Sequence, residues 1–368
     1  MSIRLRLAVT ACLLALATAI FYGLAITRQP IVRDEARVVS AAQQPITGVP
    51  PVLIDSGDRW LQPLPVYATK AAHVVRPGFH AGRWASVAVS ALNTGLIFVV
   101  AWTLFGSVIP ALAAAVILIF TPAHMTFGRT GSEAIFVVPF VLLWLYALLR
   151  FVDNDRPSFI ALASAALGAG VYTTTAAPLT MAFLWVTMMV ALWLAGRRKL
   201  STLAVAAGSA VAMLLPLAIW FTFNPQTYLD TYGRWAIHPA HIRNPADLVQ
   251  ALINRNTLGI RAGAYWGLID PSYLFFASER GRAPLLLAVA PLVVTGIVRC
   301  GHKAPGVPAM IILAGTLVAP IAGASFGQPH YIDNALALLP FVALLAAYAV
   351  DWLRLLIVPP PPPPVEEY

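Results

Sequence analysis

Charge is what this chain has least of. Of its 368 residues only 11% are Asp, Glu, Lys or Arg, against 59% hydrophobic, with a mean hydropathy of +0.77. Soluble domains carry roughly 25% charged residues, so this composition excludes a water-covered surface and implies a polytopic membrane protein. Two cysteines, Cys12 and Cys300, lie at opposite ends of the apolar map. They exclude a disulfide framework and a thiolate metal site. No repeat of fixed period is present. The net charge of +9 sits in loops between apolar runs, which points to anionic lipid or a lipid-linked phosphate and to no nucleic acid. The middles of the apolar runs are almost free of charge, which disfavours ion-coupled transport.

What is abundant is hydrophobic length. Runs able to span a bilayer fall near 7–26, 84–105, 108–126, 134–151, 158–176, 178–195, 201–223, 283–298, 304–322 and 331–357. Backbone in lipid must satisfy its own hydrogen bonds, so the expected fold is all-α: a polytopic transmembrane helix bundle of about ten spans. Two long extracytoplasmic loops containing short amphipathic helices complete it. The first run follows Arg4 and Arg6 and is longer than the core of a signal peptide, so it reads as a retained helix. Pro139, Pro216, Pro291 and Pro340 fall inside runs and are expected to kink them.

Short-loop cations set orientation. With the N-terminus inside, Arg150, Arg156, Arg197, Arg198, Lys199, Arg299, Lys303 and Arg354 are cytoplasmic. Arg28, Arg33 and Arg37 after the first helix argue the other way, but the later loops agree with one another. The chain then divides into an N-terminal transmembrane module, 1–223, with its first outer loop at 27–82. A second outer loop follows at 224–282, then C-terminal helices at 283–357 and a proline-rich cytoplasmic tail at 358–368. The expected location is a bacterial inner or plasma membrane, as part of the cell envelope.

Asp34 and Glu35 stand together just past the first apolar run. They read either as an interfacial pair balancing Arg33 and Arg37 or as a general base with a neighbouring acid that orients a ligand. Arg129 and Glu133 are four apart and would share a helix face, as an ion pair or as substrate contacts. His330 and Tyr331 precede the last run, where a phosphate or acceptor contact and a capping or interfacial-belt role are both open. Arg234, Arg243, Arg255 and Arg261 are candidates for gripping a lipid headgroup. Asp34, Glu35, Asp58, His80 and His241 are possible oxygen and nitrogen ligands, so a divalent metal ion is a candidate cofactor, although their spacing commits to no site.

The order of these segments carries a resemblance. "DEARVV" (34–39) is followed by "DRWLQPLPVY" (58–67), "HAGRWASV" (80–87), "FTPAHMTFGRTGSEA" (120–134), "ALGAGVYTTTAAPLT" (166–180) and "GQPHYIDNALALLPF" (327–341). This series resembles the polytopic glycosyltransferases of the C superfamily, in particular the protein O-mannosyltransferase and aminoarabinose-transferase relatives. The resemblance implies transfer of a sugar from a polyprenyl-phosphate donor to a hydroxyl of a glycan, lipid or protein acceptor, on the outer face. It implies Asp34 as the catalytic acid residue with Glu35 beside it, and Arg83 as the arginine opening the second helix. A guanidinium there could grip phosphate, or anchor the helix at the interface. Pro178 stands where some relatives have an arginine, and many relatives continue further at the C-terminus. Two alternatives therefore stay open: a transporter or flippase of a lipid-linked substrate, and a non-catalytic membrane subunit of transferase-like fold.

Overall fold

The computed structural model describes the chain apart from residues 1–2, 25, 29–30, 47–49, 58, 234–236, 238–244, 277–282, 303–305, 328–329 and 358–368. Asp58, Arg234, His241, Arg243 and the proline-rich tail therefore lie outside the described residues.

The elements run α1 (Ile3–Gly23), α2 (Arg33–Gln43), β1 (Ile54–Asp55), β2 (Trp60–Leu61), α3 (Pro63–Val75), α4 (Ala81–Phe105), α5 (Val108–Phe120) and α6 (Pro122–Arg129). Then come α7 (Val138–Asn154), α8 (Pro157–Gly170), α9 (Ala177–Leu194), α10 (Leu200–Phe223), α11 (Pro225–Tyr232), α12 (Pro245–Ile253), α13 (Arg255–Ile269) and α14 (Pro271–Phe275). The last three are α15 (Ala290–Gly301), α16 (Val307–Ser325) and α17 (Leu338–Ile357). The protein is an all-α polytopic bundle and an integral membrane protein. Its one two-stranded sheet, among the described residues, pairs Ile54 with Leu61 and Asp55 with Trp60, antiparallel.

Every expected run is helical, but about ten spans becomes, among the described residues, seven helices long and apolar enough to cross, or eight if α5 and α6 count together. The run at 108–126 is broken: α5 and α6 meet at 59°. Pro122 is the cause. It disfavours helical geometry at the residue before it, and Thr121 is extended, with φ −63° and ψ 119°. The run at 158–176 stops at Gly170, leaving a helix of 14 residues. The run at 283–298 yields an apolar helix only over Leu287–Gly301.

The proline expectation also needs correction. Pro139 and Pro291 occupy the opening positions of α7 and α15, and Pro340 is the third residue of α17. A first-turn N–H has no intrahelical acceptor to lose, so proline is tolerated there. Pro216 lies inside α10, and Pro320, absent from the expected kinks, lies inside α16.

The core lies where α4, α5, α7, α16 and α17 converge. Trp144, Phe98, Phe151 and Phe341 are fully buried, and the rings of Trp144 and Phe341 meet edge-on at 6.4 Å. The amphipathic helices α2 and α3, between α1 and α4, pack on each other and on the start of α4. The turns that open α7 (Glu133–Val137) and α17 (Ile332–Ala335) also touch. One end of the bundle thus gathers the segments that carry nearly all the candidate residues.

Candidate active site

α2 opens with its two acids in the first turn, where the helix dipole favours negative charge. Neighbours on a helix point about 100° apart, so the pair diverges. Glu35 turns inward beside Val38, Val39 and Ala42 and is 1% exposed. It meets Arg83, itself 0% exposed, with Nε donating to Oε1 at 2.5 Å and Nη2 to Oε2 at 2.9 Å. The remaining Arg83 nitrogen, Nη1, donates to the Ile26 carbonyl at 2.6 Å. A buried ion pair is tolerable only with such complete satisfaction. All three Arg83 side-chain nitrogens thus donate to partners within the protein.

Asp34 turns outward, and its side chain is 65% exposed. Arg37 Nη1 donates to its Oδ1 at 2.7 Å, and Arg59 Nη2 stands 3.6 Å from the same oxygen. The same Arg59 nitrogen donates to Glu133 Oε1 at 3.4 Å. Arg59 thus joins two carboxylates from distant parts of the chain. Its backbone is fixed by the hairpin turn, whose Ser56 N–H and hydroxyl donate to the Arg59 carbonyl at 3.0 and 2.7 Å. Gly57 supplies the positive φ (+87°) that the turn requires.

Arg129 and Glu133 do not share a helix face. α6 ends at Arg129, Thr130 is extended, and Glu133 begins the next turn. The chain between them passes close to α2 and α4 at Gly131, where a Cβ would lie 3.0 Å from Glu35 Cγ and 3.1 Å from the Gly82 backbone. Arg129 instead donates to the Phe21 carbonyl at 2.7 Å and lies over the Phe21 and Tyr22 rings.

Beneath it is a buried network that the sequence did not announce. Tyr22 Oη donates to the Ile119 carbonyl at 2.6 Å and contacts His124 Nδ1 at 2.8 Å, while Asn93 Nδ2 lies 3.4 Å from His124 Nε2. With the tyrosine proton spent on Ile119, these partners assign a neutral imidazole protonated at Nδ1. The signal available was "TPAHM", a histidine just after a proline break in an apolar run.

The C-terminal candidates approach through the turn that opens α17. Tyr273 Oη donates to the His330 carbonyl at 2.6 Å, receives the Ile332 N–H at 3.2 Å, and its ring lies 4.7 Å from the His330 ring. These contacts hold His330 at φ +63°, a conformation rare for a side-chain-bearing residue. Tyr331 is exposed. Nearby, Ser272 donates from its N–H and hydroxyl to the Asp270 carboxylate, holding it below the usual carboxylate range. Arg261 is buried and serves the Ser325 and Ala251 carbonyls, at 2.5 and 3.1 Å; desolvation lowers its pKa. Arg255 is exposed at the start of α13. Among the described residues, no three of His, Cys, Asp and Glu are grouped so as to hold a metal ion.

Between the segment that follows α2 and the end of α10 runs an apolar cleft of about 640 Å³, lined by Pro50, Val52, Leu215, Ile219, Trp220 and Phe223. Trp220 also lines a second hollow of about 210 Å³ that reaches Lys70.

With 15% sequence identity, a TM-score of 0.62 relates 95% of this chain to the crystal structure of ArnT from Cupriavidus metallidurans bound to undecaprenyl phosphate. The two share a fold. Residues 63–220 match the model of the family described as dolichyl-phosphate-mannose-protein mannosyltransferase. The chain spans 62% of the length of that ArnT. Apo ArnT from the same organism matches at 13% identity over 92% of this chain and 77% of ArnT, with a TM-score of 0.47. AglB from Archaeoglobus fulgidus, in complex with an inhibitory peptide and a dolichol-phosphate, matches at 14% identity over 92% and 50%, also at 0.47. No curated protein sequence matches the chain.

Proposed function

We propose that this C-superfamily fold works as an inverting glycosyltransferase that moves a sugar from a polyprenyl-phosphate donor to an acceptor hydroxyl on the extracytoplasmic face. The observation that carries the reading is the split of the acid pair. Glu35 is locked inside by Arg83, while Asp34 is held at the mouth of the site, 65% exposed and flanked by two arginines. Asp34 takes the proton from the acceptor hydroxyl. The acceptor oxygen forms a bond to the anomeric carbon as the carbon–oxygen bond to phosphate breaks. Polyprenyl phosphate departs with the electron pair, and the configuration inverts. The leaving group is a stabilised anion, so guanidinium charge serves where a poorer leaving group would need a general acid. The cleft beside Trp220 suits an isoprenoid chain, because its lining is apolar and it opens beside α10, which is only 17% buried.

Transfer from a panel of radiolabelled polyprenyl-phosphate sugars to membrane acceptors tests this, with Asp34→Asn as the comparison. Wild type should incorporate label, and the variant should lose about 10²–10⁴-fold. Its melting should change little, since an exposed pair contributes at most about 1 kcal/mol. Equal rates from the two proteins would remove Asp34 from the chemistry. No incorporation from any donor by folded protein would favour lipid handling or an accessory role.

A further inference from the structure

We propose that Arg59 is the cation that receives the donor's phosphate, and that it does so by leaving Asp34 and Glu133. The inference rests on the glycosyltransferase reading above and names the residue that holds its donor.

The site's arginines differ in how firmly they are held. Arg83 is 0% exposed, with Nε, Nη1 and Nη2 all donating; moving it would strand Glu35 without water. Arg129 is tied to the Phe21 carbonyl and lies over two rings. Arg37 is close against Asp34 on its own helix, at 2.7 Å. Arg59 is held loosely, by contacts of 3.6 and 3.4 Å and by no backbone carbonyl among the described residues, and its buried Nε, like that of Arg129, has no hydrogen-bond partner among them. A buried guanidinium nitrogen left unsatisfied in a polar site calls for an acceptor. Phosphate supplies several, in the geometry the guanidinium fork matches.

The backbone around Arg59 is pinned by the hairpin turn, so the side chain can swing without the loop moving. Charge favours the exchange as the reaction proceeds. The donor is a phosphodiester with one negative charge, whereas the departing phosphate monoester approaches two. A cation on that phosphate therefore gains most as the bond to the sugar breaks. When Arg59 moves, Asp34 keeps only Arg37 of these two partners, so arrival of the donor and release of the base are one event.

The test is calorimetric binding of farnesyl phosphate and of farnesol to the full chain in detergent. The proteins compared are wild type, Arg59→Gln, Arg59→Lys, Glu133→Gln and the Arg59→Gln/Glu133→Gln pair. Wild type should prefer the phosphate. Arg59→Gln should weaken phosphate binding about ten- to a hundredfold, the range of a charged hydrogen bond, with farnesol unaffected. Lysine should lose less. Glu133→Gln should tighten phosphate binding by removing the competing carboxylate, and should do nothing once Arg59 is gone. A purely structural Arg59 predicts the opposite sign for Glu133→Gln, so that variant decides even if Arg59→Gln fails to fold. Unchanged binding in Arg59→Gln, or weakened binding in Glu133→Gln, overturns the role of Arg59 and leaves the donor class standing. A wild type that binds farnesol as well as its phosphate overturns the donor class and this inference with it.

Discussion

Removing one member of the Arg83–Glu35 pair would leave a buried charge without its counter-charge. Glu35→Gln or Arg83→Met should therefore cost about 3–5 kcal/mol of stability, read as a lowered melting midpoint in detergent. The double variant Glu35→Leu/Arg83→Met should recover most of that loss, because it removes both charges together. The acid pair itself was legible from the sequence, since two carboxylates in so uncharged a chain invite a reason. Which acid faces water was not legible. That depends on α4 delivering Arg83 to one side of α2, a contact 48 residues away in sequence. Arg59 was harder still. Nothing in "DRWLQ" connects it to Asp34 or to Glu133, 74 residues further on, and only the hairpin turn and the opening of α7 bring the three together.

At the scale of elements, the bend at Thr121 decides where α6 goes, and Gly128 lets it arrive. A Cβ there would collide with Ser90 Oγ and lie 2.7 Å from the Tyr22 ring. Gly128→Ala should push α6 off α1 and α4, at about 1–3 kcal/mol. It should also reduce transfer by displacing Arg129 and Glu133. Gly208→Ala is the comparison. A Cβ at that position on α10 would meet nothing within 4 Å, so thermal melting should show it neutral or up to about 1 kcal/mol more stable. The apolar runs revealed where helices lie but not their lengths. Pro122 was visible, yet hydropathy averages across a bend, and the run was expected to continue straight.

For the whole molecule, the two ends differ in kind. Asp34, Arg59 and Glu133 occupy one. At the other, Arg150, Arg198 and Arg299 lie over Phe159, Trp193 and Trp352, and Arg197 pairs with Asp155. Arginine–aromatic pairs suit a membrane interface at either end, and Arg129 forms one beside the acid pair, so the ends differ in their carboxylates and not in these pairs. Single cysteines at Arg76 and Asp153, in a chain with Cys12 and Cys300 replaced, check the orientation. An impermeant maleimide applied from outside should label position 76 at once and position 153 only after permeabilisation. The reverse pattern would put the acid pair inside the cell. The short α8 has a further consequence. Fourteen residues rise only ~21 Å, against a hydrocarbon thickness of roughly 30 Å. Just past its end α3 meets the chain, with the Leu64 N–H on the Tyr172 carbonyl at 3.2 Å. A short element there favours local thinning of any lipid that meets the junction. A phosphate headgroup arriving there would already be lowered toward the bundle, so membrane thickness becomes a variable of the reaction, and thin bilayers should suit this protein best.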